Sequence, residues 1–146
     1  MLITVEKPRI AIDTNVLIAA LTRPRGTSAR IVAAWLEGRL EVVASAATVR
    51  EAEFVLGGGW LGRLVSRETV ESLLAALRMR SVYVERPDPI RDLRLKDAGD
   101  LRLVEAAAVA SASYVVTTDR EFLRARGYGS LEFVTPGEFA RLMAED

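Results

Sequence analysis

Cysteine, histidine and glutamine are all missing from this chain. Without cysteine there is no disulfide framework and no thiolate ligand, and without histidine no imidazole zinc site, no Ser-His-Asp triad and no Cys-His nucleophile. No apolar run reaches the roughly 18 residues that a membrane helix needs. The first residues show no basic segment followed by a long apolar run and a cleavage site. Net charge is missing too: 20 Lys and Arg face 20 Asp and Glu, so partner choice is not written in overall charge. Aromatics make up only 6% of the chain, too few for an extended base-stacking platform. What remains to carry chemistry is carboxylates, hydroxyls and guanidinium groups. The expectation is a cytoplasmic protein, unattached to membranes. Its 146 residues, half of them hydrophobic, form one domain over 1–146 that can bury a real core.

Short β-rich runs alternate with segments of helical period. Arg9 to Ile12 reads as a strand feeding a helix over Asn15 to Leu21, with Val16, Leu17, Ala20 and Leu21 on one face. Pro24 and Gly26 break the pattern before a second helix carrying Ile31, Val32, Trp35 and Leu36, closed by Gly38. Leu40 to Ala44 is the next strand, Ser45 the N-cap of a helix reaching Leu56, Glu68 to Met79 another helix and Ser81 to Glu85 a third strand. Residues 86–96, with two prolines and mixed charges, form a loop before an Ala-rich helix from Ala98 to Ser111. Then follow a strand Tyr114 to Thr118, a short helix Arg120 to Arg126 ended near Gly127, a fifth strand Leu131 to Val134, and a final helix opened by Pro136. This alternation predicts an α/β fold with a five-stranded, mostly parallel sheet covered by helices on both faces. Ligands of such sheets gather at the carboxyl ends of the strands.

Acids stand at those places. Asp13 directly follows the first strand and Asp119 the fourth, each also a natural cap for the helix behind it. Asp100 heads the apolar stripe Leu103, Val104, Ala107 and Ser111, where an unpaired carboxylate is costly unless it meets a cation; alternatively Asp97 caps that helix and Asp100 only complements its positive end. Glu51 and Glu53 flank the stripe Val49, Ala52, Val55 and Leu56 almost symmetrically, so periodicity does not choose between them. Carboxylates that converge repel one another, and at neutral pH such a set is stable only around a multivalent cation. With oxygen the only ligand on offer, that cation is hard, Mg²⁺ or Mn²⁺, one ion or two. Ions of this kind lower the pKa of bound water and stabilise the attacking and leaving oxygens of a phosphodiester displacement.

Together, Asp13-Thr14-Asn15-Val16-Leu17 after a first strand, a glutamate helix introduced by Ser45, Asp100 leading an Ala-rich helix, and Val116-Thr117-Thr118-Asp119 before a short helix resemble the PIN-domain family. The closing Thr135-Pro136-Gly137-Glu138-Phe139 resembles the end of its branch of toxin components of toxin-antitoxin systems, the VapC-like ribonucleases. The resemblance covers nearly the whole chain. It implies a metal-dependent ribonuclease whose acids, at positions matched by Asp13, Asp100, Asp119 and Glu51, bind Mg²⁺ or Mn²⁺ and serve catalysis, with Glu53 the fallback for the fourth. Asn15 and Thr117 match polar positions that support those carboxylates. It also implies a central first strand, an antitoxin protein partner and a homodimer paired through helices, to which exposed Phe54 and Trp60 are candidates. Thr118 departs from the pattern, since relatives often carry glycine there.

A neutral chain must bind RNA through a local patch, and Arg23, Arg25, Arg120 and Arg124 are the candidate phosphate contacts, against the simpler role of solvated surface. Rival motifs fail. Gly57-Gly58-Gly59-Trp60-Leu61-Gly62 satisfies the dinucleotide glycine spacing but follows a helix, and no phosphate loop with Lys and Ser or Thr is present. A phosphoaspartyl phosphatase needs an acid where Asn15 stands, and a receiver domain needs an acidic pair where only Asp13 is found. The alternative of another class is a PIN-like RNA- or protein-binding regulatory module without turnover.

Overall fold

The computed structural model describes residues 7–144. Six strands, β1 (Arg9–Ile12), β2 (Glu41–Ser45), β3 (Val82–Val84), β4 (Tyr114–Val116), β5 (Gly127–Tyr128) and β6 (Leu131–Val134), form one sheet in the order β3-β2-β1-β4-β6-β5. All neighbours run parallel except β5 and β6. The two-residue strand β5 is the one the sequence reading lacked. Too short to show any period, it exists because Gly127 lets the chain fold back on β6: a Cβ there would collide with the Leu131 carbonyl oxygen.

Side-chain alternation along the strands feeds two cores. Ile10, Ile12, Val42, Ala44, Val116 and Val134 face one layer, made by α1 (Thr14–Thr22), α2 (Thr27–Leu36), α3 (Ala46–Leu56), α4 (Arg67–Met79) and α7 (Pro136–Ala144). Ala11, Val43, Val115 and Phe133 face the other, under α5 (Ala98–Val109), α6 (Arg120–Arg124) and the strap that carries Ile90, Leu93 and Leu95. The central strands are apolar over most of their length, as burial on both faces requires, with Arg9 and Glu41 at the entry ends of β1 and β2 and Glu132 exposed on β6. Local signals set the helix ends. Ser45 and Thr48 close a reciprocal capping box (2.8 and 3.4 Å), and Thr135 and Glu138 close another around Pro136 through two hydrogen bonds of 3.1 Å, seating Phe139 against Tyr114.

Two helix ends fall short of their expected limits. The chain leaves α5 through Ser111 in the left-handed region (φ 56°), so Ser111 is exposed and does not continue the apolar stripe. Past α6 the left-handed residue is Arg126 (φ 66°), with Gly127 reserved for its close approach to β6. Phe54 and Trp60 stand exposed, at 84% and 51%, and the three glycines between α3 and a 3-10 turn over Leu61–Arg63 sit in no nucleotide-binding strand turn.

These burial differences are measurable. Phe122 is buried edge-to-face on Phe133, with ring centroids 4.8 Å apart. Phe122→Ala should cost about 3–5 kcal/mol in urea denaturation, whereas Phe54→Ala should stay within about 0.5 kcal/mol.

Candidate metal centre

The sheet reverses its winding between β1 and β4, because β2 and β3 lie to one side of β1 and β6 and β5 lie beyond β4. At such a switch point the loops at the carboxyl ends part and leave a crevice. Ile12 pairs with Val116, and the ladder continues upward through Asp13 N–H to the Val116 carbonyl (3.0 Å) and Thr117 N–H to the Val134 carbonyl (2.9 Å). Asp13 and Thr117 therefore emerge side by side at that crevice. The fully buried Thr117 hydroxyl donates to Asp13 Oδ2 at 2.7 Å and accepts from the Asp119 amide at 3.1 Å, tying the ends of both strands together.

Asp119 also caps α6, accepting through Oδ1 from the amides of Glu121 (2.8 Å) and Phe122 (3.3 Å). Asp13 precedes α1 without closing a side-chain cap hydrogen bond. Glu51, on α3, accepts through Oε2 from the Thr14 hydroxyl at 3.1 Å. Glu53 turns to α4 instead and pairs with Arg78 at 2.8 Å. Sequence period left these two glutamates equivalent; tertiary packing separates them. Asp97 is the N-cap of α5, bonded to the Gly99 amide at 2.7 Å, and Asp100 follows in the first turn. The two readings of that helix end thus coexist, since Asp97 caps while Asp100 lies within the field of the other acids.

Burial and mutual repulsion mark these groups. Burial pushes the Asp100 carboxyl up to about 7, with Asp13, Asp97, Asp119 and Glu51 adding to the rise. Burial also raises Asp13; the Thr117 hydroxyl and the amides of Asn15 and Thr14 draw it back, and Asp119 opposes them. Glu51 is raised by burial, lowered by Thr14, and raised again by Asp13 and Asp97. Asp13, Glu51, Asp100 and Asp119 thus share one field, with Asp97 as a fifth acid at its edge. Among the described residues no group of three or more acids is already drawn up at ligating geometry. The donor chemistry nevertheless fits a hard divalent cation: every side-chain donor is a carboxylate oxygen, and such an ion would offset the repulsion that adds to burial in lifting Asp100.

Thr14 and Gly99 are functional candidates that the sequence reading missed. A Cβ on Gly99 would come within 3.0 Å of the Glu51 Cδ, so the missing side chain is the room that Glu51's carboxylate occupies. No period or propensity signals that, although Thr14 lay within the Asp13 motif. Asn15, expected to support the acids, has an exposed side chain that enters no hydrogen bond among the described residues, and it is its amide that acts on Asp13; the side chain at this turn that reaches an acid is that of Thr14, on Glu51. Thr118 is exposed and needs no left-handed backbone, which explains why a β-branched residue is accommodated where glycine was anticipated. Arg23, Arg25, Arg120 and Arg124 are all exposed; Arg120 and Arg124 lie on the helix that Asp119 caps, and Arg23 and Arg25 follow α1.

The model of the PIN domain matches residues 9–121, from the first strand through the Asp119 turn. The chain belongs to the PIN-domain family. Two solved structures share this PIN fold. PAE2754 from Pyrobaculum aerophilum superposes with a TM-score of 0.60 at 16% identity, over 96% of this chain and 91% of its own. VapBC2 from Rickettsia felis, solved bound to a DNA fragment from its promoter, superposes with a TM-score of 0.55 at 14% identity, over 86% of this chain and 96% of its own. No curated protein matches the sequence.

The raised Asp100 carboxyl makes stability depend on pH. The folded chain holds a proton that the unfolded chain releases, so this contribution is complete below 3.8 and is lost as pH rises through about 7. Asp13 and Glu51 act in the same direction. In chelator, urea denaturation should show stability falling across that window by on the order of 1–2 kcal/mol for Asp100, discounted for its half-exposed position. Asp100→Asn should flatten the fall; a profile rising with pH and unchanged by the substitution would contradict this.

Proposed function

We propose that this PIN domain is a metal-dependent ribonuclease that hydrolyses RNA phosphodiester bonds, with Asp13, Glu51, Asp100 and Asp119 as the carboxylates that hold Mg²⁺ or Mn²⁺. The observation that carries the reading is the gathering of these acids at the switch point, where one threonine joins Asp13 to the Asp119 amide and another holds Glu51, and where burial, with the neighbouring acids adding to it, lifts Asp100 to about 7. A divalent ion held there supplies a more acidic bound water and neutralises charge on the scissile phosphate. The chain's own residues do the rest. Thr117 fixes the Asp13 carboxylate and the Asp119 backbone, Thr14 holds one oxygen of Glu51, and Gly99 leaves space for the other. Each restrains a carboxylate that repulsion would otherwise turn toward solvent. Arg23, Arg25, Arg120 and Arg124 are proposed to meet the RNA's phosphates.

The motif resemblance, the family match and the fold shared with VapBC2 support a role as the toxin component of a toxin-antitoxin pair, cytoplasmic, dimeric and restrained by a cognate antitoxin. No helix among the described residues is long and apolar enough to cross a membrane. The competing reading is a regulatory module that binds RNA or protein without turnover.

Purified protein incubated with single-stranded and structured RNA in Mn²⁺, Mg²⁺ or chelator decides between them. Metal-dependent cutting that disappears in the Asp13→Asn/Asp100→Asn double variant supports the nuclease. Equal traces from both proteins point to a contaminant and to the module. Among the glutamates, Glu51→Gln should reduce cleavage far more than Glu53→Gln; the reverse would move the fourth ligand. Gly99→Ala should keep the fold, displace the Glu51 carboxylate and lower activity about 10–100-fold, measured beside circular dichroism.

A further inference from the structure

Beside the acid centre the surface changes sign. Arg120, Leu123, Arg124 and Arg126 line a shallow depression along α6 and the turn that follows it, and no acid contributes to its wall. The one acid on α6, Glu121, is engaged by Lys96 at 3.6 Å, while among the described residues none of the three arginines takes part in a salt bridge. A chain with no net charge has thus gathered three unpaired guanidinium groups next to a cluster of acids.

The backbone gives this patch a direction. α6 begins at Asp119, at the carboxyl end of the sheet, and descends over the face that holds Phe133. Arg120 and Arg124 stand about 6 Å apart along its axis. Below them Arg126 is anchored by its amide to the Leu123 carbonyl (3.0 Å) and by its carbonyl to the Phe133 amide (2.8 Å). It holds a left-handed φ of 66°, a region where a long L side chain is disfavoured and glycine is not. An arginine at such a position, with its side chain on the same depression, departs from the local rule, and among the described residues its side chain makes no hydrogen bond or ion pair to offset the departure.

Resting on the nuclease reading, we infer that Arg120, Arg124 and Arg126 form a phosphate track that carries one RNA strand from the scissile bond at Asp13 and Asp119 down α6. The metal centre handles the bond that breaks, and the track holds the flanking nucleotides by their backbone, with no base readout. Substrate length then matters: a substrate that barely spans the cut gains nothing from the track, whereas one several nucleotides longer does.

The test uses the full chain carrying Arg124→Gln and Arg126→Gly, with Arg63→Gln, on the exposed 3-10 turn, as control. Glycine suits the left-handed position, so the double variant should melt no lower than the parent. With a single-stranded octanucleotide in Mn²⁺, its KM should rise about tenfold or more, and by clearly less with a dinucleotide that barely spans the cut. In the Asp13→Asn background, the slope of log affinity against log salt should fall by about 1.4, two phosphate contacts at roughly 0.7 each. Unchanged KM and slope, in a parent that cleaves RNA, overturn the track and leave the nuclease standing; the same holds if an acidic peptide, and not RNA, loses affinity. A parent that neither binds nor cuts RNA in either metal overturns both.

Discussion

Repulsion among carboxylates is the constraint around which this fold is organised at its carboxyl-terminal edge. Parallel pairing of β1 with β4 forces Asp13 and Asp119 to leave the sheet as neighbours, and α3 and α5 bring Glu51 and Asp100 into the same field. Left alone, such groups would rotate outward into water. The chain answers with hydroxyls: Thr117 holds Asp13 and the Asp119 backbone, and Thr14 holds Glu51. Glycine at position 99 lets α3 and α5 approach closely enough for Glu51 to stay. The result keeps charge together at a cost in stability that a divalent cation would reverse, a trade familiar where a site is built for function before stability.

Most of the fold was legible because its signals are local and redundant. Ser45 and Pro136 mark helix starts that the sequence alone identifies, and the hydrogen bonds of Ser45 with Thr48 and of Thr135 with Glu138 hold them. The strands read as short, mostly apolar runs. What escaped was non-local. The strand β5 depends on a single close approach at Gly127, and the helix ends at Ser111 and Arg126 depend on backbone conformations that no propensity favours for those residues.

The acidic site divides in the same way. Asp13 and Asp119 were readable from their place after strands, because strand order and direction carry them to one crevice. Glu51 and Glu53 were not separable by period; the difference is made by Thr14 on one side and Arg78 on the other. Asn15 illustrates the converse, a motif position whose side chain faces solvent while its amide, and the hydroxyl of the neighbouring Thr14, act on the acids. The exposed arginines along α6 follow directly on the acid Asp119, so a chain of zero net charge still keeps its charges in separate local groups.

Calorimetric titration of Mn²⁺ into the protein at pH 7 bears most directly on the claim that these carboxylates exist to share a cation. Saturable binding by the chain, absent from an Asp13→Asn/Asp100→Asn variant with the same circular dichroism and melting curve, is what the acid field requires. Equal binding by both proteins, or none by either, would contradict it.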